Sequence, residues 1–168
     1  MKISMYLTSV PVLKRMLGNL ADILQIGAAH AEAKKIDPAV LIASRLYPDM
    51  FALARQVQVA TDTAKGCAAR LAGKEIPKYE DNEATFPELV ARVKKTVAFL
   101  DTFKPEQIDG TEDKSITLQL RSGDLNFTGI SYLLHFALPN FYFHVTTAYD
   151  VLRHNGVEVG KMDFLGKP

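Results

Sequence analysis

The chain has only one cysteine, Cys67. A lone thiol excludes an internal disulfide framework and any zinc site built from paired cysteines, and it suits a reducing compartment. Charge imbalance is missing too, with 20 Lys and Arg against 19 Asp and Glu and a formal net charge of +1. Such a balance gives no general attraction to phosphate backbones, so nucleic acid is not an expected partner. Long apolar runs are absent. Lys14, Arg15, Asn19 and Asp22 break up the hydrophobic positions near the start, and neither a signal peptide nor a membrane span is expected. There is no glycine-rich phosphate loop, nucleophile elbow or His-Glu-x-x-His pattern. Repeats, low-complexity tracts and Gly/Ser linkers are lacking as well, so the expectation is one cytoplasmic domain over 1–168.

What the chain does have is helical periodicity. Hydrophobic residues make up 48%, and at this length a folded chain buries roughly 70% of the surface its unfolded form exposes. From Ser9 to about Lys35, Leu13, Met16, Leu20, Ile23 and Gly27 recur every three or four residues, which predicts a first helix capped by Ser9. Asp37-Pro38 restarts the chain, and Ala39 to Leu46 is read as a connector of one or two turns. A second periodic stretch begins at Asp49, with Met50, Leu53, Val57, Ala60, Ala64, Cys67 and Leu71 on one stripe, and ends at Gly73. Its lower half is rich in small residues, which predicts a close helix contact. Lys74 to Ala84 reads as a loop. Thr85-Phe-Pro-Glu88 is a capping box that opens a third helix running to about Phe103.

Between Lys114 and Phe127 the period becomes two. Ile116, Leu118 and Leu120 alternate with Thr117, Gln119 and Arg121, and a turn at Ser122-Gly123-Asp124 leads to Leu125 and Phe127. A small β-hairpin is therefore expected. The last helix is predicted to break near Pro139, since proline removes a ladder bond and crowds the preceding turn at about 3 kcal/mol. It then presents Phe141, His144, Val145, Ala148, Val151 and Leu152 to the core and stops at Asn155-Gly156. Four long helices and a hairpin make an all-α bundle.

The tail LRHNGVEVGKMDF, Leu152 to Phe164, follows a histidine nine residues before its arginine. Together they resemble the end of DinB/YfiT-like four-helix bundles. RLYPDMFALARQVQVATD, the capping box, the hairpin and LPNFYFHVTTAYDVLRHNG extend the resemblance over nearly the whole chain, to a bacterial branch without an assigned function. The resemblance implies a homodimer. It also implies a divalent metal (zinc, nickel or manganese) held by one histidine of the second helix and two of the last, four residues apart. Here His144 matches the second of that last-helix pair, Asn140 stands where the first should be, and the second helix has no histidine.

The polar residues of the second helix nearest the expected ligand position are Gln58 and Asp62. The candidate site is accordingly Gln58, Asp62, Asn140, His144 and Thr147, with His144 and Asp62 as candidate metal ligands. Two readings remain open. In one, these residues form a hydrogen-bonded network, a degenerate metal site that binds a small polar ligand or only stabilises the bundle. In the other, a divalent ion activates a low-molecular-weight thiol, with His144 as ligand and Asp62 as ligand or base, as in related thiol transferases. The remaining candidates receive structural readings. Cys67 is a small core residue, His154 supports a helix end, His30 lies at a surface or core edge, His135 is partly buried, and Phe141, Tyr142 and Phe143 pack in the core.

Overall fold

The computed structural model describes residues 4–120 and 123–166. Helix α1, Val10–Lys34, buries Leu13, Met16, Leu17, Leu20, Ile23, Leu24, Gly27 and Ala31, the face that its periodicity predicts. Its start differs from expectation. The Ser9 hydroxyl does not cap the helix but donates back to the Met5 carbonyl at 2.6 Å, because a preceding turn already brings that acceptor within reach. Lys35 closes the helix in the left-handed region at φ 57°. The connector is α2, Pro38–Ala43, where Asp37 accepts from the Ala39 N–H at 3.0 Å.

Helix α3, Leu53–Ala72, begins later than the periodic stretch suggested. Met50 N–H instead closes a turn on the Tyr47 carbonyl at 3.0 Å. The small residues Ala60, Ala64, Gly66, Ala68 and Ala69 are all buried. Gly66 makes room for the Arg70 side chain, since a Cβ there would stand 2.5 Å from its Nη1. That close approach is to a side chain of α3 itself, one turn on, and not to a neighbouring helix. After the 73–85 segment comes α4, Phe86–Leu100, opened by the capping box: Thr85 Oγ1 accepts from the Glu88 N–H, and the Glu88 carboxylate accepts from the Thr85 N–H at 2.9 Å. A short α5, Pro105–Ile108, precedes the hairpin.

Strands β1, Ser115–Leu120, and β2, Gly123–Thr128, pair antiparallel with Ile116 opposite Phe127 and Leu118 opposite Leu125. Ile116 and Leu118 face the core. Of the expected turn, Gly123 and Asp124 open β2, whereas Arg121 and Ser122 lie outside the described residues. Lys114 anchors the start of β1 by donating from Nζ to the carbonyls of Arg70 and Leu71, at 3.0 and 2.9 Å, where the α3 dipole is negative. At the exit, a Cβ on Gly129 would meet the Thr111 carbonyl oxygen at 1.9 Å, so only glycine fits.

No break occurs near Pro139. Helix α6, Gly129–Tyr132, passes through a π-helical turn, Leu133–Ala137, directly into α7, Leu138–His154. Pro139 falls in the first turn of α7, and the wider turn just before it absorbs the ring, so the helix stays continuous. Within that turn His135 is exposed, not partly buried as expected. Phe141 is buried and Tyr142 half-buried, but Phe143 is 55% exposed and is not a core residue. Gly156, at φ 86°, supplies the left-handed stop. A last helix, α8, Lys161–Leu165, rests on α1, where Asn19 Nδ2 donates to the Phe164 carbonyl at 2.9 Å.

Helix α1 packs on α4, and α3 packs on both α4 and α7 around one hydrophobic core. The result is a mostly helical bundle with a two-stranded hairpin. Among the described residues no helix is long and apolar enough to cross a membrane.

Candidate functional site

Three polar pairs tie α3 to the α6–α7 helix. His144 Nδ1 lies 2.7 Å from Gln56 Oε1, Asn140 Nδ2 donates to Thr63 Oγ1 at 2.9 Å, and Arg70 Nη1 donates to the Tyr132 hydroxyl at 3.0 Å. Gln56, Thr63 and Arg70 are each seven residues apart, two helical turns, and so share one face. Their partners run in the reverse order, so the two helices are antiparallel.

Gln56 is oriented by its own amide, whose Nε2 donates to the Phe51 carbonyl at 3.1 Å. Its Oε1 is thus an acceptor, and His144 Nδ1 carries the hydrogen. Burial, together with the nearby Arg55 guanidinium, holds the His144 pKa below its ordinary value. The imidazole is neutral at neutral pH, with Nδ1 as its donor nitrogen.

On the other flank of α3, Arg92 is 3% exposed and every arm of its guanidinium is occupied. Nε donates to Thr61 Oγ1 at 2.7 Å; Nη1 donates to the Glu80 carbonyl and to Glu83, each at 3.0 Å; and Nη2 reaches Asp62 at 2.8 Å and Asp81 at 3.0 Å. Lys65 Nζ also pairs with Asp62, at 2.6 Å. The Tyr79 ring covers these cations, with Lys65 Nζ 3.8 Å and Lys95 Nζ 4.3 Å from its centroid. Burial raises the Tyr79 pKa. This cluster fastens the 74–84 loop to α3 and α4.

A cleft of about 520 Å³ opens between α3, β1 and the α6–π segment, lined by Asp62, Thr63, Arg70, Thr117, Tyr132 and Phe136, among others. Tyr132 is 1% exposed, and burial pushes its phenol pKa up to about 12. Its ring stacks on Phe136, with centroids 6.1 Å apart at 20°.

The family model described as "Domain of unknown function (DUF1993)" matches residues 5–165. The chain belongs to the DUF1993 family. A crystal structure of a DinB family member from Shewanella denitrificans is 42% identical and superposes with a TM-score of 0.89, covering 97% of this chain and 92% of that one. The DinB-like bundle fold is thereby shown. No functionally curated protein matches the chain.

For this DUF1993 chain the structure divides the five candidate residues, with Gln58 and Asp62 both joined to the Arg92 cluster and the other three on α7. Gln58 binds Arg55 and Glu83, Asp62 lies in the Arg92 cluster, Asn140 binds Thr63, and His144 binds Gln56. The Thr147 hydroxyl donates to the Phe143 carbonyl one turn back at 2.7 Å. None of the five is hydrogen-bonded side chain to side chain with another. The α3 residue facing His144 is Gln56, and sequence reasoning overlooked it. Gln56 stands three after Leu53 and four before Ala60, on the buried stripe, and that spacing was the available signal. Arg92 has the same signature, three after Leu89 and four before Thr96.

A divalent ion needs imidazole, thiolate or carboxylate donors. Around His144 the neighbouring donors are amides already engaged, and the Asp62 carboxylate is neutralised by Lys65 and Arg92. Among the described residues no three His, Cys, Asp or Glu side chains stand close enough to share an ion. The residues present do not fit a DinB-type metal centre. Cys67 is fully buried, and its thiol pKa is pushed up to about 12 by that burial, so it is no nucleophile.

Proposed function

We propose that this DUF1993 protein is a small-molecule-binding bundle whose ligand enters the cleft between α3 and the hairpin. The observation that carries the reading is the cleft itself. Its volume of about 520 Å³ falls in the range typical of ligand sites, roughly 300–1,000 Å³, and it combines an aromatic wall with convergent polar groups. Of the residues expected from sequence, Asp62 lines it and Asn140 reaches it through Thr63. His144 and Gln56 then form a rigid polar brace between helices. The alternative is a metal-dependent thiol transferase using His144 and Asp62, which would require Asp62 to leave two cations.

Two further features belong to the same reading. The exposed rings Tyr47, Phe51 and Phe143, 65%, 50% and 55% accessible, support a homodimer whose formation would cover them. A cytoplasmic location agrees with a sole cysteine left as a buried thiol. Sedimentation at micromolar concentration tests the dimer, and a monomer would refute it.

An amide-resolved NMR titration with a panel of small neutral and charged ligands tests the site. The expected shifts centre on Thr63, Thr117, Gln119 and Phe136. Shifts centred on Gln56 and His144 would overturn the reading. So would stoichiometric zinc, nickel or manganese binding that His144→Ala abolishes.

A further inference from the structure

The cleft contains a donor without an acceptor. Arg70 Nη1 donates to the Tyr132 oxygen, and a guanidinium can only donate, so the phenol's own hydrogen remains unspent. Among the described residues nothing accepts it. Nor does any described acceptor pair with Arg70 Nε or Nη2. The Thr63 hydroxyl accepts from Asn140 and likewise donates to no described group, unlike Thr61, Thr96 and Thr147, whose hydroxyls donate to backbone carbonyls. These three side chains line one cleft. Tyr132 is 1% exposed as a residue, and the part of it that is not packed in the core forms cleft wall.

The geometry points to a carboxylate site: the cleft takes a small aromatic monocarboxylic acid, its carboxylate held by the Tyr132 hydroxyl and the Arg70 guanidinium. This rests on the reading of the cleft as a ligand site and names the ligand class. A carboxylate offers acceptors only, which is what an unspent phenol hydrogen and free guanidinium N–H groups require. Gly66 leaves the room that the guanidinium occupies, since a Cβ there would stand 2.5 Å from Nη1. Phe136, stacked on Tyr132, and Leu118 supply an apolar wall for the ring of the acid. Lys65 and Arg92 already balance Asp62, which leaves Arg70 as the single unbalanced charge of the lining, so a monoanion fits better than a dianionic phosphate.

The probes are benzoate, benzamide and phenyl phosphate, each titrated calorimetrically into the full chain. Benzoate is expected to bind at least tenfold tighter than either of the others. Tyr132→Phe keeps the ring and should weaken benzoate about tenfold, while Arg70→Gln should bring benzoate and benzamide within twofold of each other. Thermal melts confirm that each variant is folded, and Tyr132→Phe carries the test if Arg70→Gln is not. Equal affinity for benzoate and benzamide overturns the carboxylate assignment but leaves the cleft reading standing if benzamide shifts Phe136 and Thr117 resonances. Tightest binding by phenyl phosphate overturns it as well, as does benzoate binding that Tyr132→Phe leaves unchanged. Failure of all three probes also sinks it, and the wider ligand panel then decides the cleft reading separately.

Discussion

Two arginines, Arg92 and Arg70, flank the same helix in opposite circumstances. Arg92 is buried with six oxygen partners from α3 and the 74–84 loop, and each arm of its fork is used. Arg70, about two turns beyond Asp62, has one hydrogen-bond partner among the described residues and lines the cleft. A saturated cation is a fastening, because nothing can bind it without breaking something. An unsaturated cation beside an unspent hydroxyl is a place for a ligand. The contrast also explains why Asp62, a natural first choice as a metal ligand, is a poor one: its charge is already consumed by Lys65 and Arg92.

The largest effect should come from breaking the saturated side. Arg92→Ala leaves Glu83, Asp81 and Asp62 without their common cation and should cost about 3 kcal/mol or more, read as a lower urea midpoint. A change below about 1 kcal/mol would mean that the cluster is not a fastening.

An intermediate effect is expected at His144. Its folded pKa lies below its ordinary value of 6.5, so above that pH both folded and unfolded chains hold a neutral ring and no dependence arises. As pH falls through 6.5 the unfolded chain takes the proton first, and stability declines until pH reaches the lower folded value. His144→Asn should flatten this segment of the stability curve. An unchanged slope would remove the buried neutral imidazole from the account.

The smallest effect on stability belongs to the unsaturated side. Tyr132→Phe forfeits one hydrogen bond from Arg70, which keeps access to the cleft, and should cost under about 1 kcal/mol in the same urea experiment. A loss as large as that of Arg92→Ala would make the Tyr132–Arg70 pair a second fastening and erase the contrast.

Much of the bundle was legible because its causes are local. The stripes of α1, α3 and α4, the Thr85–Glu88 box and the alternation of Ile116 and Leu118 each follow from spacing within a dozen residues. Pro139 misled because a proline penalty assumes a regular α-helix, and the π-turn ahead of it relaxes that assumption. Ser9 misled because its oxygen had a nearer partner in Met5. The candidate residues were chosen by likeness to a metal site, whereas Gln56 and Arg92 could have been found from burial alone. The cleft could not. It exists because Lys114 and Gly129 fold the hairpin across α3, bringing Thr117 beside Thr63 over a long separation in sequence that no periodicity encodes.

The most direct measurement is a crystal structure of the protein with benzoate bound. The carboxylate should lie within hydrogen-bond distance of the Tyr132 hydroxyl and the Arg70 guanidinium, with the ring against Phe136. Benzoate lodged instead beside His144 and Gln56, or displacing Asp62 from Arg92, would contradict this placement.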